Sequence, residues 1–100
     1  MREDRQRLDK WLWFARFAKS RTLAAKLVTS GYVRVNGLRT DSPAKAVAVG
    51  DVVTVALART TTVVRIENLG ERRGPAPEAR QLYSEVQSDL GPLVSDNGNG

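Results

Sequence analysis

The hydrophobic period of this chain changes at Gly31, and that change commits it to a mixed fold with helices first and strands after. From Arg5 to Ala18 the apolar residues recur at helical spacing. Leu8, Trp11, Leu12, Ala15 and Ala18 form one stripe with Phe14 at its margin, and Asp4 is placed to cap the start. Lys19-Ser20-Arg21 interrupts the pattern. Ser20 is a good N-cap for a second helix over Arg21 to Ser30, with Leu23, Ala24, Leu27 and Val28 as its apolar face. Gly31 then stands where a left-handed C-terminal residue is wanted.

Beyond Gly31 the period is two. Val33 and Val35 share one face of a strand, with Tyr32, Arg34 and Asn36 on the other. Asn36-Gly37 predicts a tight turn, because both residue types accept positive φ. Lys45-Ala46-Val47 follows a loop through Pro43, and Gly50-Asp51 makes another turn. Val52 to Leu57 and Thr60 to Ile66 then read as two antiparallel strands rich in β-branched residues. The expected fold class is α+β, with two short N-terminal helices packed on one side of a small antiparallel sheet.

Gly70 to Pro77 reads as a break with Arg72-Arg73-Gly74-Pro75 exposed, and Pro77 can open a short helix through Glu78–Gln87 that carries Leu82, Tyr83 and Val86. From Ser88 onward Asp, Gly, Pro, Ser and Asn prevail, which predicts a disordered tail. The expected organisation is therefore one folded unit of helices and strands over 1–69, an extension with a short helix over 70–87, and a tail over 88–100.

Composition narrows the function. With no cysteine and no histidine, the chain has no thiolate nucleophile, no disulfide framework and neither of the commonest zinc ligands. Hydroxyls lack a neighbouring base, carboxylates are scattered, and the glycines are isolated turn residues rather than a phosphate loop. A non-enzymatic protein is expected, with no cofactor, no metal, no small-molecule substrate and no membrane span. A cytoplasmic monomer fits best.

The charge is unevenly placed. Residues 1–50 hold eleven Lys and Arg against four carboxylates, a balance of +7, whereas residues 51–100 hold five against seven, a balance of −2. A field concentrated in one half suits an anionic partner. Lys19 and Arg21 flank the turn between the helices, Lys10, Arg16 and Lys26 lie on polar flanks, and Arg34 and Asn36 lie on the outward face of the first strand. With the Ser20 turn and the positive end of the second helix they form a surface for a nucleic-acid backbone. For Lys10 and Lys26 a solvated helix face is an equally good reading. Trp13 either stacks on an unpaired base or packs on the fold. Asp9 either orients Arg16 or Arg21 through an ion pair or compensates charge at a helix start.

The spacing Arg7-Leu8-Asp9-Lys10-Trp11-Leu12, Lys19-Ser20-Arg21, Ala24, Leu27, Gly31-Tyr32-Val33-Arg34-Val35-Asn36-Gly37, Pro43 and Gly50-Asp51-Val52-Val53 resembles the S4 RNA-binding domain over about half of the chain, Arg7 to Leu57. The following strand with Arg72-Arg73-Gly74-Pro75 and Leu82-Tyr83 is similar to the family of stand-alone, fifteen-kilodalton ribosome-associated heat-shock proteins of bacteria and their ribosome quality-control counterparts. The resemblance implies an S4, alpha-L-like fold and binding to ribosomal RNA of the large subunit, with tRNA as a further partner, in rescue of stalled nascent-chain complexes. It carries the RNA-binding role onto Arg7, Asp9, Lys10, Arg16, Lys19, Ser20, Arg21, Lys26, Arg34 and Asn36. The acidic, Gly- and Asn-rich end departs from the long basic extension of that family. Two other classes suit the same residues: a DNA-binding regulator using the helices as a helix-turn-helix, and a protein-interaction adaptor in which the charge is incidental.

Overall fold

The computed structural model describes residues 4–57 and 60–86. In chain order it runs β1 (Gln6–Arg7), α1 (Leu8–Phe14), α2 (Arg21–Thr29), β2 (Val33–Val35), β3 (Leu38–Arg39), β4 (Ala46–Val47), β5 (Val52–Ala56), β6 (Thr61–Ile66), α3 (Ala76–Ala79), a 3-10 turn (Arg80–Leu82) and β7 (Tyr83–Glu85). Antiparallel pairing orders five strands as β3-β2-β5-β6-β7, and β1 and β4 form a separate ribbon.

Helix α1 is shorter at both ends than its apolar stripe predicts. At the start, the amides of Leu8 and Asp9 donate to the carbonyls of Lys45 and Pro43 at 2.9 and 3.0 Å. Another segment thus satisfies donors that a helix start leaves open, and Arg7 rather than Asp4 is the cap residue, with no side-chain cap bond. At the end, Arg16 adopts φ 68°, the Phe17 amide reaches the Leu12 carbonyl at 2.9 Å, and the Arg16 amide reaches Trp13 at 3.0 Å. That pair of bonds is a Schellman termination with arginine at the left-handed position. The apolar pattern continues to Ala18 because Ala15 and Ala18 stay buried in the turn, outside any helix. Phe17, which an unbroken helix would carry opposite the core, instead packs on Trp11 and Tyr83 at ring distances of 6.0 and 5.1 Å.

Helix α2 follows its sequence closely. The Ser20 hydroxyl accepts from the Leu23 amide at 3.1 Å, and the helix ends with the same pair of terminating bonds, Tyr32 to Leu27 and Gly31 to Val28. Here the left-handed residue is Gly31, at φ 87°. A Cβ there would also meet the Arg39 guanidinium, the far end of a flexible side chain that would have to move. Ala24 and Val28 face the core, but Leu23 is 47% exposed and does not belong to the buried face.

Val33, Val35, Val53, Val55, Val64 and Ile66 line one face of the sheet and are buried against Leu8, Trp11, Leu12, Ala24 and Val28. Trp11 is fully buried and its indole N–H donates to the Asn68 carbonyl at 3.0 Å. Asn36 and Gly37, at φ 54° and 82°, make the two-residue turn that puts Val35 opposite Leu38.

The C-terminal segment differs from the expectation. Of the helix expected over Glu78–Gln87, the described residues form only the end of α3, with Pro77 in its first turn, and the 3-10 turn Arg80–Leu82. α3 is one turn, and Tyr83–Glu85 adds a fifth strand on β6, with Tyr83 opposite Ile66 and the Val86 amide on the Val63 carbonyl at 2.8 Å. The open edge of β6 supplies partners that a short helix could not, and Tyr83 still reaches the core from the strand. Arg73 is half-buried and Gly74 buried rather than exposed, because the segment folds back against α3 and the end of α1, where Arg16 takes the Gly74 carbonyl. The Gln6 amide group donates to the Gly70 carbonyl at 2.7 Å and accepts from the Gly70 amide at 3.1 Å, so the segment after β6 is tied to the chain's first strand. The expected tail over 88–100 lies outside the described residues.

Candidate nucleic-acid interface

The heads of α1 and α2 meet at Asp9. Its side chain is only 5% exposed, yet it carries a full set of cationic partners. Arg7 Nε and Nη2 donate to Oδ1 and Oδ2 at 3.0 and 3.1 Å, a two-pronged contact, and Arg21 Nε lies 3.8 Å from Oδ2. The hydrogen bond and then the charge of Asp9 raise the Arg7 guanidinium above its ordinary range. A raised cation contributes its stabilisation at every pH below that range, so Arg7 holds its charge throughout neutral pH. Both arginine side chains remain about half exposed, at 50% and 44%. A buried carboxylate thus holds Arg7 by a forked pair of hydrogen bonds and Arg21 by a longer ion pair.

Of the two pairings expected for Asp9, that with Arg21 forms. Arg16 goes elsewhere: its Nη1 donates to the Gly74 carbonyl at 2.9 Å, toward the C-terminal extension. Ser20 fixes the direction of the α2 head through its cap bond, with Lys19 exposed beside it. Lys10 lies over the Phe14 ring, its Nζ 5.8 Å from the centroid. Trp13 is half-buried against the core and stacks on Phe14 with centroids 5.4 Å apart. Its packing role is thus visible in the fold.

Asn36 is occupied within the hairpin. Its Oδ1 accepts from the Val52 amide at 2.9 Å and its Nδ2 donates to Asp51 at 3.3 Å. Lys26 shares a flank of α2 with Leu23 and Leu27 and lines a groove there. Arg34, on the outward face of β2, is the register partner of Arg39. Like charges directly opposite in a ladder are unfavourable unless an anion neutralises them. Sequence reasoning passed over Arg39, together with Arg5 and Lys45, which line a cleft of about 370 Å³ between the hairpin and the β1–β4 ribbon. Their common signal, a basic side chain beside a turn or a short ribbon, is visible only once β3 and β4 are folded. Among the described residues no group of three or more His, Cys, Asp or Glu could hold a metal ion, and no helix is long and apolar enough to cross a membrane.

Residues 6–53 match the S4 domain. Over 90 residues the chain is 39% identical to a heat shock protein 15 homolog of Haemophilus influenzae, covering 90% of this chain and 68% of that protein. The chain belongs to the heat shock protein 15 family. A homolog from Aeromonas salmonicida is 43% identical over 84 residues, 84% of this chain, and the chain spans 63% of that relative's length. The solved trimeric structure of Vibrio cholerae heat shock protein 15 superposes with a TM-score of 0.78 at 44% identity, covering 82% of each chain. The S4 match ends within β5, whereas the likeness to heat shock protein 15 covers most of the chain, so β6 and the segment that folds back onto it belong to the family's own build.

Proposed function

We propose that the protein is a non-enzymatic RNA-binding module that docks on ribosomal RNA of the large subunit, with tRNA as a further partner, and acts in the cytoplasm in rescue or quality control of stalled nascent-chain complexes. The observation that carries the reading is the Asp9 carboxylate, buried and holding Arg7 and Arg21 at the head of a capped helix. Backbone phosphates take charge-assisted, forked hydrogen bonds from guanidinium groups set in this way. Membership of an S4-domain family supports RNA as the anion, and the opposed Arg34 and Arg39 extend the cationic surface along the hairpin.

Salt dependence tests the mechanism. About four to six phosphate contacts give a log–log slope of affinity against salt of about −3 to −4 on single-stranded-like sites. A slope near zero overturns it. Cross-linking in cells followed by sequencing of the attached RNA tests the partner: reads concentrated in large-subunit rRNA support the proposal, and DNA or a salt-resistant protein partner in its place overturns it. The monomer expected from the sequence and the trimeric Vibrio relative differ in mass threefold. Light scattering at the concentrations used for binding decides between the two.

A further inference from the structure

Helix α2 carries one leucine, Leu23, outside its core packing and a second, Leu27, that packs on the core with only part of its surface. Ala24 and Val28 are fully buried, while Leu23 is 47% exposed and Leu27 is half-buried. Leu23, Lys26, Leu27 and Ser30 recur at the helical spacing of three and four and so form one flank. That flank faces the far end of the sheet, where Tyr32 is 52% and Leu57 37% exposed. Between them lies a groove of about 530 Å³, walled by Leu23, Leu27, Tyr32 and Leu57 with Lys19 and Lys26 at its rim. A second hollow of about 410 Å³ shares Leu27, Tyr32 and Leu57, so the groove continues past the tyrosine. None of the described lining residues carries a carboxylate.

We propose that this groove takes an unstacked base of the bound RNA, with Tyr32 as the stacking surface and Lys19 and Lys26 on the flanking phosphates. An apolar floor with an exposed aromatic ring and a purely cationic rim complements a nucleotide, which is flat and weakly polar at the base and anionic on either side. The backbone of Tyr32 is fixed at this place: its amide donates to the Leu27 carbonyl at 3.1 Å and its carbonyl accepts from the Ala56 amide at 2.8 Å. Of the other aromatics, Trp13 stacks on Phe14, and Phe17, which also lines the groove, packs on Trp11 and Tyr83. The groove is also continuous with the surface described above, because Lys19 immediately precedes the Ser20 cap that sets the head of α2.

The inference rests on the RNA-binding reading, and the experiment separates the two. The probes are a stem–loop RNA with unpaired loop adenines and the same RNA with abasic sites in those positions. Wild-type protein binds the first more tightly, and Tyr32→Ala reduces that affinity roughly tenfold while leaving the abasic RNA unaffected. Tyr32→Phe retains the preference, and Leu23→Asp, at an exposed position, abolishes it. In parallel, millimolar adenosine monophosphate shifts the methyl resonances of Leu23, Leu27 and Leu57, whereas ribose 5-phosphate does not. Equal affinity for both RNAs with the expected salt slope overturns the base site and leaves RNA binding standing. Failure to bind either RNA overturns both. Methyl shifts produced by an acidic, leucine-containing peptide and not by the nucleotide overturn the base site in favour of a protein partner.

Discussion

The carboxylate of Asp9 lies 3.8 Å from Nε of Arg21, so a buried acid in the first turn of one helix directs a base in the first turn of the next. The same acid is held at both oxygens by Arg7. An acidic residue at the centre of a basic surface looks unfavourable for binding an anion, but it restrains the Arg7 guanidinium by two hydrogen bonds and keeps that of Arg21 close before the anion arrives.

This arrangement makes Asp9→Asn diagnostic. If diffuse attraction governs RNA binding, the loss of one negative charge tightens it. If orientation governs, affinity falls, by about 1 kcal/mol for two weakened charge-assisted contacts. We expect the fall, measured by fluorescence anisotropy at fixed salt with thermal unfolding as the check on the fold.

Arg21 itself should matter more than charge in general. Arg21→Ala weakens RNA binding by roughly 1–3 kcal/mol, and Arg21→Lys recovers only part of the loss because an ammonium lacks the planar fork. The control is Arg72→Ala. Arg72 is exposed and paired with Glu78 at 3.0 Å, away from the Asp9 cluster in the contacts it makes. Equal losses from the two alanine variants would show that only total charge counts.

The cap and the core are separable by stability. Ser20→Ala removes the bond to the Leu23 amide and costs about 1 kcal/mol, with Ser20→Gly costing only a few tenths. Trp11→Ala empties a fully buried site and strands the Asn68 carbonyl, for roughly 3–5 kcal/mol. Urea titration reads both, and a Trp11→Ala loss no larger than that of Ser20→Ala would contradict the packing described.

What was legible in the sequence depended on how local its cause was. The Ser20 cap, the Gly31 termination and the Asn36-Gly37 turn each rest on a few neighbouring residues, and each formed as read. The C-terminal segment rested on a distant partner. Leu82, Tyr83 and Val86 have spacing compatible with a helix, and only the open edge of β6 makes Tyr83–Glu85 a strand. The interface divides in the same way. Arg21 is placed by the cap next to it, whereas Arg39 becomes part of a cationic pair only through the register of β2 and β3. Asn36, read as an RNA-binding residue on the outward face of the first strand, makes contacts to Asp51 and Val52 fifteen and sixteen residues away that no local pattern announces.

Arg16 tests whether the end of α1 is a structural or a binding feature. It sits at φ 68°, a left-handed conformation that costs a residue with a Cβ roughly 1–2 kcal/mol and glycine almost nothing. Its guanidinium offsets part of that cost by donating to the Gly74 carbonyl at 2.9 Å, which also ties the helix turn to the C-terminal extension. Arg16→Ala keeps the backbone cost and loses the bond, so it destabilises the fold. Arg16→Gly loses the bond but relieves the backbone, and should be more stable than the alanine variant by about 1 kcal/mol. The two variants carry the same charge, so their RNA affinities should agree once both are folded. Their loss relative to wild type should be smaller than that of Arg21→Ala, because Arg16 spends a donor on Gly74. Chemical denaturation gives the first comparison and anisotropy the second. An alanine variant as stable as the glycine one would remove the left-handed strain from the account, and an RNA defect equal to that of Arg21→Ala would return Arg16 to the binding surface.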